Sequence, residues 1–153
     1  MSVSVPSSSF PDLPTPEAGR SPIRVVVVDD HDLLRATIRN LLLGVKGMEW
    51  VGEAADGADA LALVEATRPD IVLMDLSMPG TDGLTATRRI RSSCPSAHVL
   101  VLTSSTDPDH EALSLAAGAS AVLTKDGNPD TIVSGIRSVM HRDPSPSTPD
   151  RRC

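Results

Sequence analysis

Four apolar runs in this chain, rich in β-branched residues, each lead into or end on a residue able to bind or transfer a group. Residues 25–28 lead into Asp29 and Asp30, residues 71–74 into Asp75, residues 99–102 into Thr103, and residues 121–124 into Lys125. Runs of this kind read as strands buried on both faces of a sheet. In an open parallel sheet, ligands bind just beyond the carboxyl ends of the strands. Residues far apart in sequence would then meet in one place as three carboxylates, a hydroxyl and an ammonium.

Three clustered carboxylates repel one another, each pair by about 4 kcal/mol at ~4 Å and an effective dielectric of ~20. Such a cluster calls for a cation, and an all-oxygen site completed by water favours Mg²⁺. A carboxylate bound to that metal, beside a lysine and a hydroxyl, is equipped to accept a phosphoryl group. The metal and Lys125 would neutralise the equatorial oxygens, and Thr103 would donate a hydrogen bond to one of them. An oxygen of Asp75 would be the nucleophile, giving an acyl phosphate. Singly, each residue has a plainer reading: Asp29 or Asp30 as a cap of the following helix, Lys125 as a structural ion-pair partner. Their joint occurrence at four strand ends favours a site.

The elements that must position these residues alternate along the chain. A strand over 23–28 precedes a helix over 32–45, with Leu34, Ile38, Leu41, Leu42 and Val45 on one face. A weaker strand over 49–54 precedes a helix over 58–67, with Ala60, Leu61 and Val64 inward and Pro69 as its stop. A strand over 71–75 leads to the turn at Pro79-Gly80 and a helix over 83–91. A strand over 98–103 precedes Asp107-Pro108, a cap followed by proline at the first helical position, which opens a helix to Ala117 ended by Gly118. A short strand over 121–124 precedes Asn128-Pro129 and a last helix through Met140. Five such βα units imply an α/β fold, a doubly wound five-stranded parallel sheet with helices on both faces. The flavodoxin-like order 2-1-3-4-5 puts the first and third strands side by side, and with them Asp29, Asp30 and Asp75.

The 153 residues accommodate one domain with tails, and the 40% hydrophobic content is that of a globular protein. A net charge of −6 argues against a phosphate-backbone binder. With Phe10 and Trp50 the only aromatics, there are no stacking platforms for single-stranded nucleic acid either. Cys94 and Cys153 show no ligand or framework spacing, so neither a zinc site nor a disulfide framework is indicated. The four histidines, including His31, read as solvated or locally hydrogen-bonded. No secretory signal and no apolar run of membrane-spanning length is visible, so a cytoplasmic location and no membrane partner are expected. Residues 1–22 and 142–153, rich in serine and proline, read as disordered extensions of a domain over 23–141.

The segments VVVVDDHDLLR, IVLMDLSMPGTDG, VLVLTSS and GASAVLTKD resemble the signature segments of response-regulator receiver domains. The subgroup that usually carries a LuxR-type helix-turn-helix is the most similar, through the Asp-Asp-His opening and the Lys-Asp after the last strand. The resemblance implies that Asp75 is the phospho-acceptor and Asp30 a direct Mg²⁺ ligand. It implies that Asp29 acts partly through water, and that the backbone carbonyl of Ser77 is a further ligand. Thr103 would be the switch hydroxyl, Lys125 the phosphate-contacting lysine, and the small Ser104 would leave the pocket open.

Two departures stand out. Receivers commonly carry Tyr or Phe three residues before the lysine, where this chain has Val122, so a weaker conformational readout is expected. After Met140 only 13 residues remain of the 153, too few for a helix-turn-helix, so no direct DNA binding is expected. The expectation is a single-domain phospho-accepting switch rather than an enzyme with its own substrate. Its partners would be a sensor histidine kinase or phosphotransfer protein and an output protein of unknown identity. A truncated LuxR-type transcription regulator and a receiver-like module that works without phosphate are the alternatives.

Overall fold

The computed structural model describes residues 22–76, 83–104 and 107–142. Strands β1 (Ile23–Val28), β2 (Met48–Ala54), β3 (Ile71–Asp75), β4 (His98–Thr103) and β5 (Ala121–Thr124) alternate with helices α1 (Asp32–Leu43), α2 (Gly57–Thr67), α3 (Gly83–Ser93), α4 (Pro108–Ala116) and α5 (Pro129–Arg142). All strands are parallel, in the order β2-β1-β3-β4-β5. This is the flavodoxin-like arrangement expected from the sequence.

The continuous apolar runs are explained by two cores, one on each face of the sheet. Successive strand residues point to opposite faces. Val26, Val28, Val72, Met74, Val99 and Val101 therefore pack against Ala60 and Val64 of α2 and Ala86 and Ile90 of α3. Val25, Val27, Ile71, Leu73, Leu100 and Leu102 pack against Ile38 and Leu42 of α1 and Ile136 and Val139 of α5. Since residues 25–28 of β1 and 71–74 of β3 each meet one core or the other, no alternation of polar residues survives there.

Helix boundaries follow local chemistry. The Asp107 side chain caps α4 by accepting from the Asp109 amide at 3.0 Å, with Pro108 at the first helical position. Asn128 repeats the device for α5, accepting from the Asp130 amide at 3.0 Å. The first helix stops at Leu43 instead of reaching Val45, because Gly44 closes it with its amide on the carbonyls of Leu41 and Leu42. Val45 still packs against the core beneath the turn. The last helix runs to Arg142, one residue past the expected domain limit of 141. Of the two extensions, residues 1–21 and 143–153 lie outside the described residues.

Cys94, buried just past α3, is disulfide-bonded. The sequence pointed to no disulfide framework, because two cysteines so far apart carry no spacing signal. Among the described residues, no helix is long and apolar enough to cross a membrane.

Candidate functional site

The strand order places the ends of β1, β3, β4 and β5 along one edge of the sheet, and the sequence-predicted residues gather there. Val28 pairs with Met74, so Asp29 and Asp75 both follow from the same level of neighbouring strands. Both are almost wholly buried, at 1% and 0% exposure. Asp75 pairs with Leu102, which sets Thr103 at the next position of the adjacent strand end, itself 6% exposed. The Lys125 amide donates to the Thr103 carbonyl at 2.7 Å and so ties the end of β5 to that of β4. From this anchor the Lys125 ammonium donates to Asp75 Oδ1 at 2.7 Å and lies 3.6 Å from Asp29 Oδ2. Asp30 completes the acidic group, for one ligand atom from each of Asp29, Asp30, His31 and Asp75 lies within 4.8 Å of the others. Ser77, expected to contribute a backbone carbonyl, lies outside the described residues.

The helix-cap reading of the aspartates does not hold. The capping position of α1 is His31, with no side-chain cap, and Asp29 Oδ1 instead accepts from the His31 amide at 2.8 Å. With Nδ1 protonated, the His31 ring donates to the same oxygen at 3.1 Å. Asp30 Oδ1 is also 3.1 Å from that nitrogen but lacks hydrogen-bond alignment with it. The local hydrogen bonding expected of His31 is therefore with the acidic cluster itself.

Three carboxylates face one ammonium and one imidazole that is largely in solvent. The buried Asp29 Oδ2 and Asp30 Oδ1 receive no hydrogen bond. Buried charge of this kind is costly unless paired. The donor set, all carboxylate oxygen apart from His31, fits a hard divalent cation.

Sequence reasoning missed two supports of this site. One is Gly83, the first residue of α3. A Cβ there would lie 2.6 Å from the Asp75 carbonyl oxygen and 3.0 Å from Leu76 Cα, both backbone atoms. Absence of a side chain lets α3 start directly against the strand end that carries Asp75. The glycine was legible as a helix start, but its contact partner was not.

The other is Arg35 in α1. Its guanidinium donates to the Asp29 carbonyl at 2.5 Å, to Glu53 Oε2 at 3.1 Å and to Asp32 Oδ1. Burial pushes this group down, but its hydrogen bonds to Glu53 and Asp32 and the charges of those carboxylates outweigh it, so its pKa is raised. Arg39 extends the group, donating to Glu53 Oε1 at 2.9 Å while its guanidinium sits 5.5 Å over the Trp50 ring. Beyond Lys125, Asp126 accepts from the Asn128 amide and the Thr131 hydroxyl, both at 2.9 Å. The Asn128 bond first, then that from Thr131, holds its carboxyl below the usual range. This depressed-pKa contribution to stability is present above the ordinary aspartate range and is lost as pH falls through the folded-state value.

Known proteins share this sequence pattern and fold. The model of the response regulator receiver domain family matches residues 25–137. The chain belongs to that family. It is 46% identical over 117 residues to the response regulator UvrY of Escherichia coli, an alignment covering 76% of this chain and 54% of UvrY. It is 41% identical over 118 residues to the response regulator GacA of Pseudomonas aeruginosa, covering 77% of this chain and 55% of GacA. The chain thus spans about half the length of the curated relatives it matches. Among solved structures, a LuxR-family two-component response regulator from Aurantimonas sp. superposes with a TM-score of 0.76 at 37% identity, over 80% of this chain and 87% of that one. The receiver domain of the NarL regulator from Mycobacterium tuberculosis gives 0.73 at 36% identity, over 77% and 95% of the two chains. Val122, where many receivers carry an aromatic ring, lies in β5 paired to Val101 and packed against the core.

Proposed function

We propose that this receiver takes a phosphoryl group on Asp75 from the phosphohistidine of a sensor kinase or phosphotransfer protein, with Mg²⁺ at Asp29, Asp30 and the Asp75 carboxylate. The observation that carries the proposal is the Lys125 ammonium donating to Asp75 Oδ1 at 2.7 Å beside two further carboxylates. One carboxylate oxygen of Asp75 attacks phosphorus as the P–N bond breaks. The leaving imidazole nitrogen keeps the electron pair, and the product is an acyl phosphate. Lys125 offsets charge on the transferring group, and Thr103 donates a hydrogen bond to one of its oxygens. The bound Mg²⁺ supplies Lewis-acid charge neutralisation. The residues that would hold it are Asp29, Asp30 and Asp75, with the Ser77 carbonyl as the family's pattern implies.

The acyl phosphate is lost to water, so the protein acts as a switch without a substrate of its own. Phosphorylation biases a two-state rearrangement around α4 and β5 that changes contacts with a protein partner. The length of the relatives favours a second reading, in which the same receiver governs a DNA-binding segment of a LuxR-type regulator. Both readings place the same demands on Asp75.

Substituting Asp30→Ala tests the metal half of the proposal. Mg²⁺ affinity and the rate of phosphorylation from acetyl phosphate are expected to fall together, each by at least about tenfold, because one carboxylate serves both. Metal-free thermal stability is expected to hold or rise, since a like charge has been removed. Unchanged Mg²⁺ titration in this variant would move the cation site elsewhere.

A further inference from the structure

We propose that Arg35 is a positioning residue for the cation site, an inference that rests on reading Asp29 and Asp30 as its ligands. The carbonyl that Arg35 holds at 2.5 Å belongs to the peptide joining Asp29 to Asp30. That peptide is a rigid plane, so fixing its oxygen fixes the direction in which Asp30 leaves the strand. The Arg35 side chain is itself held, at 13% exposure, by Glu53 from β2 and Asp32 from its own helix. On the other side of the same loop, the Asp29 amide donates to the Ala54 carbonyl at 3.0 Å, one residue past Glu53. The loop between β1 and α1 is thereby clamped from β2 through Ala54 and from α1 through Arg35. No side-chain cap secures the start of α1, so the guanidinium takes over that restraint from inside the helix.

Position and charge make opposite predictions here, which renders the assignment testable. Arg35 is a cation near an acidic site, so charge alone would make its removal tighten binding of Mg²⁺. Positioning requires that binding weaken. Lysine retains the charge but cannot reproduce a planar fork serving several acceptors at once.

The test is calorimetric titration of the full chain with Mg²⁺ alone, for the wild type, Arg35→Met, Arg35→Lys, Glu53→Gln and Asp30→Ala. Thermal unfolding without metal accompanies each titration to show that the variant is folded. The expected result is an affinity loss on the order of tenfold in both Arg35 variants and a smaller loss in Glu53→Gln. Should Arg35→Met fail to fold, Arg35→Lys and Glu53→Gln carry the same test. Wild-type or tighter affinity in folded Arg35 variants, with Asp30→Ala still impaired, would overturn the positioning role and leave the ligand reading intact. Absence of saturable Mg²⁺ binding in the wild type, or normal binding by Asp30→Ala, would overturn both.

Discussion

Replacing Asp75 by asparagine is expected to abolish phosphorylation while leaving the fold in place. The substitution keeps the size of a fully buried side chain at the end of β3, and the amide oxygen still accepts from Lys125. It removes the carboxylate oxygen assigned as the nucleophile at the end of β3. Asn is a far weaker nucleophile than a carboxylate, so acetyl phosphate and Mg²⁺ together should give no labelled product. Intact mass and circular dichroism, measured on the same sample, check both halves of the expectation. A phosphoryl adduct of normal yield in this variant, mapping to the same crevice, would remove Asp75 from its assigned role.

The largest structural effect is expected at Gly83. In Gly83→Val the new side chain begins 2.6 Å from a backbone oxygen and 3.0 Å from a backbone carbon. Neither can move aside as a side-chain tip could. Either α3 retreats or the end of β3 shifts, and overpacking of this kind costs about 1–3 kcal/mol, occasionally more. The shift would act on the Asp75 backbone itself, so slower phosphorylation should accompany a melting temperature lowered by several degrees. Gly83→Ala should show the same pair of effects in milder form, because its Cβ meets the same atoms. An unchanged melting temperature in Gly83→Val would show that the close approach imposes no constraint.

What was legible in the sequence was what local chemistry encodes. Bounds of β3, β4 and β5 follow from apolar runs that end in polar residues, and the starts of α4 and α5 from Asp107-Pro108 and Asn128-Pro129. The five residues at the four strand ends were legible for a related reason: parallel topology brings strand ends to one edge whatever the intervening helices contain. The supports of the site were not legible, because they depend on approach between segments. Gly83 reads as a helix start until Asp75 is seen against it. Arg35 reads as a helix-surface partner of Asp32 at i,i+3 spacing until folding brings Glu53, eighteen positions away, onto its other side. His31 reads as solvated or locally hydrogen-bonded, and in the structure it is both, with its ring largely in solvent and Asp29 as its acceptor. The division of β1 into Val25 and Val27 for one core and Val26 and Val28 for the other was also hidden, since four identical residues carry no facing signal.

The most direct test of the central claim is mass spectrometry of the wild-type chain incubated with acetyl phosphate, with Mg²⁺ and with the metal chelated. The account predicts gain of one phosphoryl group that requires Mg²⁺, is removed by hydroxylamine as an acyl phosphate must be, and maps to the peptide containing Asp75. A label that forms equally well without divalent metal, resists hydroxylamine, or maps to a peptide lacking Asp75 would contradict it.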